Sequence, residues 1–341
     1  MSPLGLWAFA RRPPWRTLFA GAACLLTLLL AYALWLPGLD VTDGRHDLGH
    51  NGIWIQHGWL GDDAWFERNG KAARRTEFRS RESVEALADR LRRHGITDVF
   101  PHLCPCTSDG SLPPVDPEQT KRFLAAFAGF RVMPWVGGVS GETADVESDA
   151  WRAGFSRSAR KLLEEHPGFA GIHVNIEPCP PGSPGFLKLL EVLKASLPPG
   201  KVLSVAAYPP PTVWHGFPEV HWTKTYFRQV AARSDQLAVM MYDTSLRNEK
   251  LYRHLMARWT REVLAWSGGT EVLLGLPAYG DADSGYHHPE AENLSNALLG
   301  VHAGLGSPAE MPANYRGVAI YCEWEMDESE WAWYRERFLK H

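Results

Sequence analysis

The 341-residue chain has no strong excess of charge of either sign: its formal net charge is −4 and 22% of its residues are charged. It has no basic stripe, so nothing in it calls for nucleic acid, and no low-complexity or linker-like stretch divides it after about residue 45. A glycine-rich phosphate loop is also missing, which argues against an open doubly wound nucleotide-binding sheet. Short metal-ligand spacings such as His-Glu-x-x-His are absent, so no metal is expected, and nothing implies a cofactor. Cysteine is scarce, at five residues, whereas tryptophan is plentiful, at fifteen.

One long hydrophobic run stands apart. Arg11, Arg12 and Arg16 precede an apolar stretch over 17–36, and Asp40 and Asp43 follow it. About twenty apolar residues can span a bilayer, and basic residues before the run place the N-terminus in the cytoplasm. The expected organisation is a cytoplasmic segment 1–16, a transmembrane anchor 17–36, a linker 37–50 and a domain 51–341 in the periplasm or outside the cell. A cleaved signal peptide is the competing reading, since Ala31-Tyr32-Ala33 is a small-x-small site. Leu34-Trp35-Leu36 carry the apolar run past that site and favour the anchor, and Cys24 lacks a lipobox ahead of it.

Beyond residue 45, short apolar strands alternate with helical patterns. The strands fall at 52–57, 96–100, 131–136, Gly171–Glu177, Val202–Ala207, 236–241, 271–276 and 317–321, each followed by glycine, proline or polar residues. Among the helices, 83–93 ends at Gly95, Asp116-Pro117 supplies an N-cap and first-turn proline, and 328–339 closes the chain. Eight strand–helix units in about 290 residues predict a single (β/α)8 TIM barrel.

The most informative strand is Gly171-Ile172-His173-Val174-Asn175-Ile176-Glu177. Its alternation puts His173, Asn175 and Glu177 on one face and Ile172, Val174 and Ile176 on the other. Pro178 cannot join a sheet ladder, so the strand stops at Glu177 and leaves a carboxyl at a strand's C-terminal end, where barrels build their sites.

Several strand ends together resemble family 18 glycoside hydrolases, the chitinase-like barrels. Gly171–Glu177 is similar to their fourth-strand Asp-Gly-x-Asp-x-Asp-x-Glu, Met240-Met241-Tyr242-Asp243 to the sixth-strand Met-x-Tyr-Asp, and Gly275-Leu276-Pro277-Ala278-Tyr279-Gly280 to the seventh-strand Gly-x-Pro-x-Tyr-Gly. Weaker echoes are Met133-Pro134-Trp135-Val136-Gly137-Gly138 and the eighth-strand region 317–324. The resemblance implies retaining hydrolysis beside a 2-acetamido sugar with the substrate's own acetamide as nucleophile. It makes Glu177 the general acid/base, Asn175 the residue that holds the acetamide, and Tyr242 and Asp243 its orienting partners. It also implies a glycan substrate: peptidoglycan, a chitin-like chain or another N-acetylhexosamine polymer. The family's three Asp positions are here Ala170, His173 and Asn175, so the strand keeps no carboxylate beside the acid.

Further candidates for substrate binding are His57 and Trp59 on the first strand, with Trp54 read as core; Trp135 on the third; His173, either a satisfied interior hydrogen bonder or a proton relay; Tyr279; and Tyr321, Glu323 and Trp324 on the eighth. Trp59 offers a ring for sugar stacking, and Tyr321 or Trp324 stands where the family usually carries a Trp floor. Asp281, Asp283, His287 and His288 follow the seventh strand; a solvated loop is one reading of all four and the preferred one for His287 and His288. Two alternatives stay open: a two-carboxylate barrel glycosidase, although no Glu ends the seventh strand, and a catalytically inactive, lectin-like carbohydrate binder, which the loss of the Asp residues would suit. Export would place Cys104, Cys106, Cys179 and Cys322 in an oxidising compartment, which predicts one disulfide joining Cys179 to Cys104 or Cys106, with Cys322 buried near the base of the site.

Overall fold

The structure, a computed structural model, describes residues 14–281, 284–307, 309 and 311–340, with the side chains of Pro14, Arg16 and Thr17 left out. Arg11, Arg12 and Asp283 lie outside the described residues. The chain divides into two compact units, Met1–Pro37 and Gly38–His341. In the first, helix α1 (Pro14–Leu34) leaves Leu18, Phe19, Leu25, Leu26, Leu28 and Leu29 exposed. Among the described residues no helix is long and apolar enough to cross a membrane. The expected span over 17–36 therefore lacks support among the described residues.

The second unit is an α/β fold. Among the described residues its nine strands are β1 (Asn51–Ile55), β2 (Ile96–Pro101), β3 (Arg131–Val132), β4 (Trp135–Val139), β5 (Gly171–Glu177), β6 (Val202–Ala207), β7 (Gln236–Met240), β8 (Glu271–Pro277) and β9 (Tyr315–Tyr321). The helices between and around them are α2 (Asp63–Arg68), α3 (Arg81–Arg93), α4 (Pro117–Ala126), α5 (Asp149–Glu165), α6 (Pro184–Ser196), α7 (Lys224–Ala231), α8 (Glu249–Trp266), α9 (Leu294–Leu305) and α10 (Glu328–Arg337). All strand pairs are parallel and run in the order β3-β2-β1-β9-β8-β7-β6-β5-β4.

The sequence predicts eight strands; the ninth arises because the third is broken at Met133-Pro134. β3 pairs with β2 and β4 with β5, while His102, just past β2, bridges to Trp135 and Leu103 N donates to Trp135 O at 2.8 Å. The two ends of the sheet thus belong to one interrupted strand, and the sheet curls into the barrel-like form of a TIM fold.

Side-chain alternation sorts the core into two shells. Ile53, Ile55, Ile172, Val174, Ile176, Val205 and Leu237 face outward into the cluster shared with the helices, whereas Trp54, Phe100, Met133, Trp135, Ala238, Leu273 and Ala319 fill the inside of the barrel. Caps follow the sequence signals: Asp116 accepts from Gln119 N at 2.8 Å with Pro117 in the first turn, and α3 ends at His94 with Gly95 next, at φ +64. Gly137 permits the closest strand approach near the site, since a Cβ there would lie 1.7 Å from Asn175 O.

Candidate active site

A directional chain of hydrogen bonds crosses the barrel interior below the strand ends. Trp54 Nε1 donates to His173 Nε2 at 3.1 Å; the opposite ring nitrogen, Nδ1, lies 2.8 Å from Ser204 Oγ; Ser204 donates to Gln236 Oε1 at 2.7 Å; and Gln236 Nε2 donates to Asp98 Oδ2 at 2.6 Å. Trp54 can only donate, so His173 Nε2 is the accepting nitrogen and Nδ1 carries the proton. Burial pushes the His173 pKa down to about 3. His173 is therefore a neutral, fully used interior bonder rather than a proton relay, and it does not line the cavity, which corrects its expected contact with substrate.

Above this floor the strand ends open into a cavity of about 490 Å3. Its lining includes Trp54, Trp135, Asn175, Glu177, Tyr242, Asp243 and Tyr321, which gathers the expected acid, its neighbour and the β7 pair in one place. Glu177 reaches surface through the mouth, yet protein atoms crowd its carboxyl. Loss of hydration raises its pKa above the ordinary carboxyl range, the bond from Asn175 opposes the rise, and the charge of Asp243 adds to it. Asn175 Nδ2 donates to Glu177 Oε1 at 2.7 Å. Tyr279 does not line the cavity; its hydroxyl donates to Asp243. Tyr242 and Tyr321 stack with ring centroids 5.3 Å apart.

Trp135 is backed by a row of rings. His102 stacks on it at 3.9 Å, His57 on His102 at 3.8 Å, and Trp65 on His57 at 4.0 Å. Asp62 anchors the row, with Oδ2 2.5 Å from His57 Nδ1. His57 is thus a buttress two rings behind the cavity and not a sugar contact as expected. Trp59, expected to stack on sugar, is buried against Phe78 and Phe123 because the turn after β1 folds it into the outer shell. Trp54, read as core, is both core and cavity lining.

Glu323 and Trp324 also fall away from the cavity. Glu323 N donates to Trp54 O at 3.1 Å, which tucks this turn between the ends of β1 and β9. The Glu323 carboxyl is buried, with Oε2 unpartnered among the described residues, and burial lifts its pKa from 4.5 to about 7, opposed by Arg90. A folded-state pKa above the unfolded one means that stability falls as pH rises from about 4.5 to about 7. At roughly 1.4 kcal/mol per decade this is worth about 3 kcal/mol. Urea unfolding of Glu323→Gln is therefore expected to show a flatter pH dependence over that window; an unchanged slope would remove the assignment.

The expected disulfide is not formed. All five cysteines are free: Cys104 Sγ donates to Trp135 O, Cys106 Sγ to Thr143 O, and Cys179 Sγ lies 3.8 Å from Tyr226 Oη. Each thiol faces its own neighbours, and burial pushes those of Cys106 and Cys179 up to about 12. We expect iodoacetamide to leave these two unmodified in the folded protein and to label all the cysteines in denaturant without prior reduction. A denatured, unreduced sample two labels short would contradict this.

Other lining residues escaped the sequence. The segment after β6 contributes Tyr208, His215, Phe217, Glu219 and His221, and Tyr286 joins from the segment after β8. The usable signal was the position of Pro209-Pro210-Pro211 at a strand's C-terminal end, which marks a loop at the active face. His287 and His288, read as solvated, are buried: His287 stacks on Tyr279 at 4.0 Å and lies 3.2 Å from Asp243 Oδ1. A larger hollow of about 750 Å3, lined by residues such as Asp109, Arg157 and Lys161, lies apart from all of these groups. Among the described residues no group of three or more His, Cys, Asp or Glu is placed to hold a metal ion.

No family model matches the chain, and no curated protein matches it in sequence. Solved structures do. The spore cortex-lytic enzyme SleL of Bacillus cereus aligns with a TM-score of 0.53 at 11% identity, over 86% of this chain and 76% of that one. A chitinase from Chromobacterium violaceum gives 0.55 at 17% identity over 75% and 95%. One from Bacteroides thetaiotaomicron gives 0.51 at 11% identity over 84% and 96%. The fold is that of the chitinase-like TIM-barrel glycoside hydrolases, as the strand-end motifs implied.

Proposed function

We propose that the protein is a glycosidase that cleaves N-acetylhexosamine-containing glycan with retention, the substrate's acetamide acting as nucleophile and Glu177 as general acid/base. The observation that carries this reading is a carboxyl of raised pKa at the end of β5, hydrogen-bonded to Asn175 and sharing an aromatic cavity with Tyr242 and Asp243. A raised pKa keeps Glu177 protonated nearer neutral pH, ready to protonate a leaving oxygen. Asn175 and Tyr242 offer donors to the acetamide, and Asp243 faces its nitrogen. Chitinase and cortex-lytic relatives in fold support a glycan such as chitin or peptidoglycan.

The test is turnover of N-acetylglucosamine oligomers and peptidoglycan fragments, with the first-formed anomer read by proton NMR. Retention with competitive inhibition by a cyclic thiazoline of N-acetylglucosamine is expected; inversion, or indifference to the thiazoline, defeats the mechanism. Asp243 in the same cavity favours one second reading, a two-carboxylate glycosidase, which would cleave de-N-acetylated oligomers equally fast.

The N-terminal unit fits an anchor that holds this domain outside the cytoplasm. Support comes from the apolar run 17–36, the arginines before it and the exposed leucines of α1. Fractionation in carbonate buffer tests it: release of the intact chain would count against anchoring.

A further inference from the structure

Behind Asp243, the segment after β8 buries His287 and Glu292. His287 Nε2 lies 3.1 Å from the Tyr279 carbonyl oxygen, and its Nδ1 lies 3.2 Å from Asp243 Oδ1 and 4.0 Å from Glu292 Oε2. A carbonyl only accepts, so Nε2 carries a proton; Nδ1, set between two carboxyls, is where a second proton is favoured. Glu292 is fully buried, and its Oε2 accepts from Thr244 N at 2.9 Å, the residue directly after Asp243. Ser245 N donates to Tyr286 O at 2.9 Å. The backbone these bonds hold is unusual, with Asp243 at φ 58 and Ser245 at φ 62, a left-handed conformation that persists where the surroundings enforce it.

We propose that Glu292 and His287 are positioning residues that hold Asp243 as an oriented anion facing the cavity, supplying from the end of β7 the charge that the β5 strand lacks at Ala170, His173 and Asn175. The proposal deepens the glycosidase reading and rests on it. As the acetamide oxygen bonds to the anomeric carbon, the bond to the leaving oxygen breaks, Glu177 gives that oxygen its proton, and the acetamide nitrogen becomes positive. A fixed carboxylate beside that nitrogen opposes the developing charge. Water then opens the ring and returns a proton to Glu177.

Once Glu292 is ionised, an imidazolium between the two carboxylates leaves one net negative charge, on the side of Asp243 that faces substrate. Burial lowers the His287 pKa, but Asp243 and Glu292 outweigh it and the balance is upward; burial lifts Glu292 to about 7 against the pull of Thr244 N and His287. The other titratable groups facing the trio are Glu177, His215, Tyr242, Tyr252, Tyr279, Tyr286 and Tyr321. His215 is shifted down and the five tyrosines up, in each case chiefly by burial, so these six stay neutral near neutral pH.

Nitrogen NMR of the histidine-labelled full chain tests this without needing a substrate. The His287 midpoint is expected above that of an ordinary histidine, about 6.5, and should fall in Asp243→Asn and in Glu292→Gln. A wild-type midpoint at or below the ordinary value overturns the proposal, as does an unmoved midpoint in both variants. On a cleaved glycan, Glu292→Gln should lower kcat about tenfold or more with KM nearly unchanged, and Glu292→Asp should restore part; a change confined to KM overturns it. An imidazolium signature in a chain that cleaves no glycan supports the positioned anion and overturns the glycosidase reading alone.

Discussion

Glu177→Gln is expected to lower kcat by about 10²–10⁴-fold, the range that general acid–base catalysis supplies. The substitution keeps the oxygen that accepts from Asn175 Nδ2, so the cavity wall persists and only the transferable proton is lost. The pH profile gives the sharper check. An acid works while protonated, so wild-type kcat/KM should fall as pH rises through the raised pKa of Glu177, and that limb should vanish in the variant. Because the charge of Asp243 helps to raise this pKa, Asp243→Asn should move the limb to lower pH. Steady-state rates across pH on a soluble oligomer measure both effects; a Gln variant within tenfold of wild type would remove Glu177 from the mechanism.

Asn175→Ala is expected to cost about 10²-fold on N-acetylated substrate, as the loss of a group that holds a reacting atom in attack geometry does. The structure adds a second, opposite signature. Asn175 now donates to Glu177 and holds its pKa down, so its removal should push the alkaline limb to higher pH even as the maximal rate drops. A slower enzyme with an unmoved limb would mean that Asn175 does not touch Glu177 in solution, and an unchanged rate would mean that it does not touch the acetamide.

Much of the barrel was legible because buried parallel strands write themselves as short apolar runs closed by glycine or proline. Gly171–Glu177, Val202–Ala207 and the Asp116-Pro117 cap stand where the sequence placed them. The break at Pro134 was not legible, since β3 and β4 lie two residues apart and read as one run. Among the motif residues, Asn175, Glu177, Tyr242 and Asp243 share one cavity while His173 and Tyr279 lie outside it, and Trp59, His57 and Glu323 were misplaced because composition cannot say which way a turn rotates a side chain. His287 and Glu292 were missed for a different reason. They matter only through Asp243, more than forty positions earlier, and no local pattern encodes a contact across that separation.

The hydrogen-bond chain through the barrel floor limits which exchanges its members tolerate. Every link from Trp54 through His173, Ser204 and Gln236 to Asp98 has one donor and one acceptor, all pointing the same way. An aspartate at position 173, as in the chitinase motif, accepts from both sides. Ser204 would then have to turn its proton toward it, Gln236 would have to reverse its amide, and Asp98 would lose its donor and face an oxygen instead. An aspartate at 173 therefore cannot replace the histidine alone without unpairing this chain, so His173, Ser204 and Gln236 constrain one another.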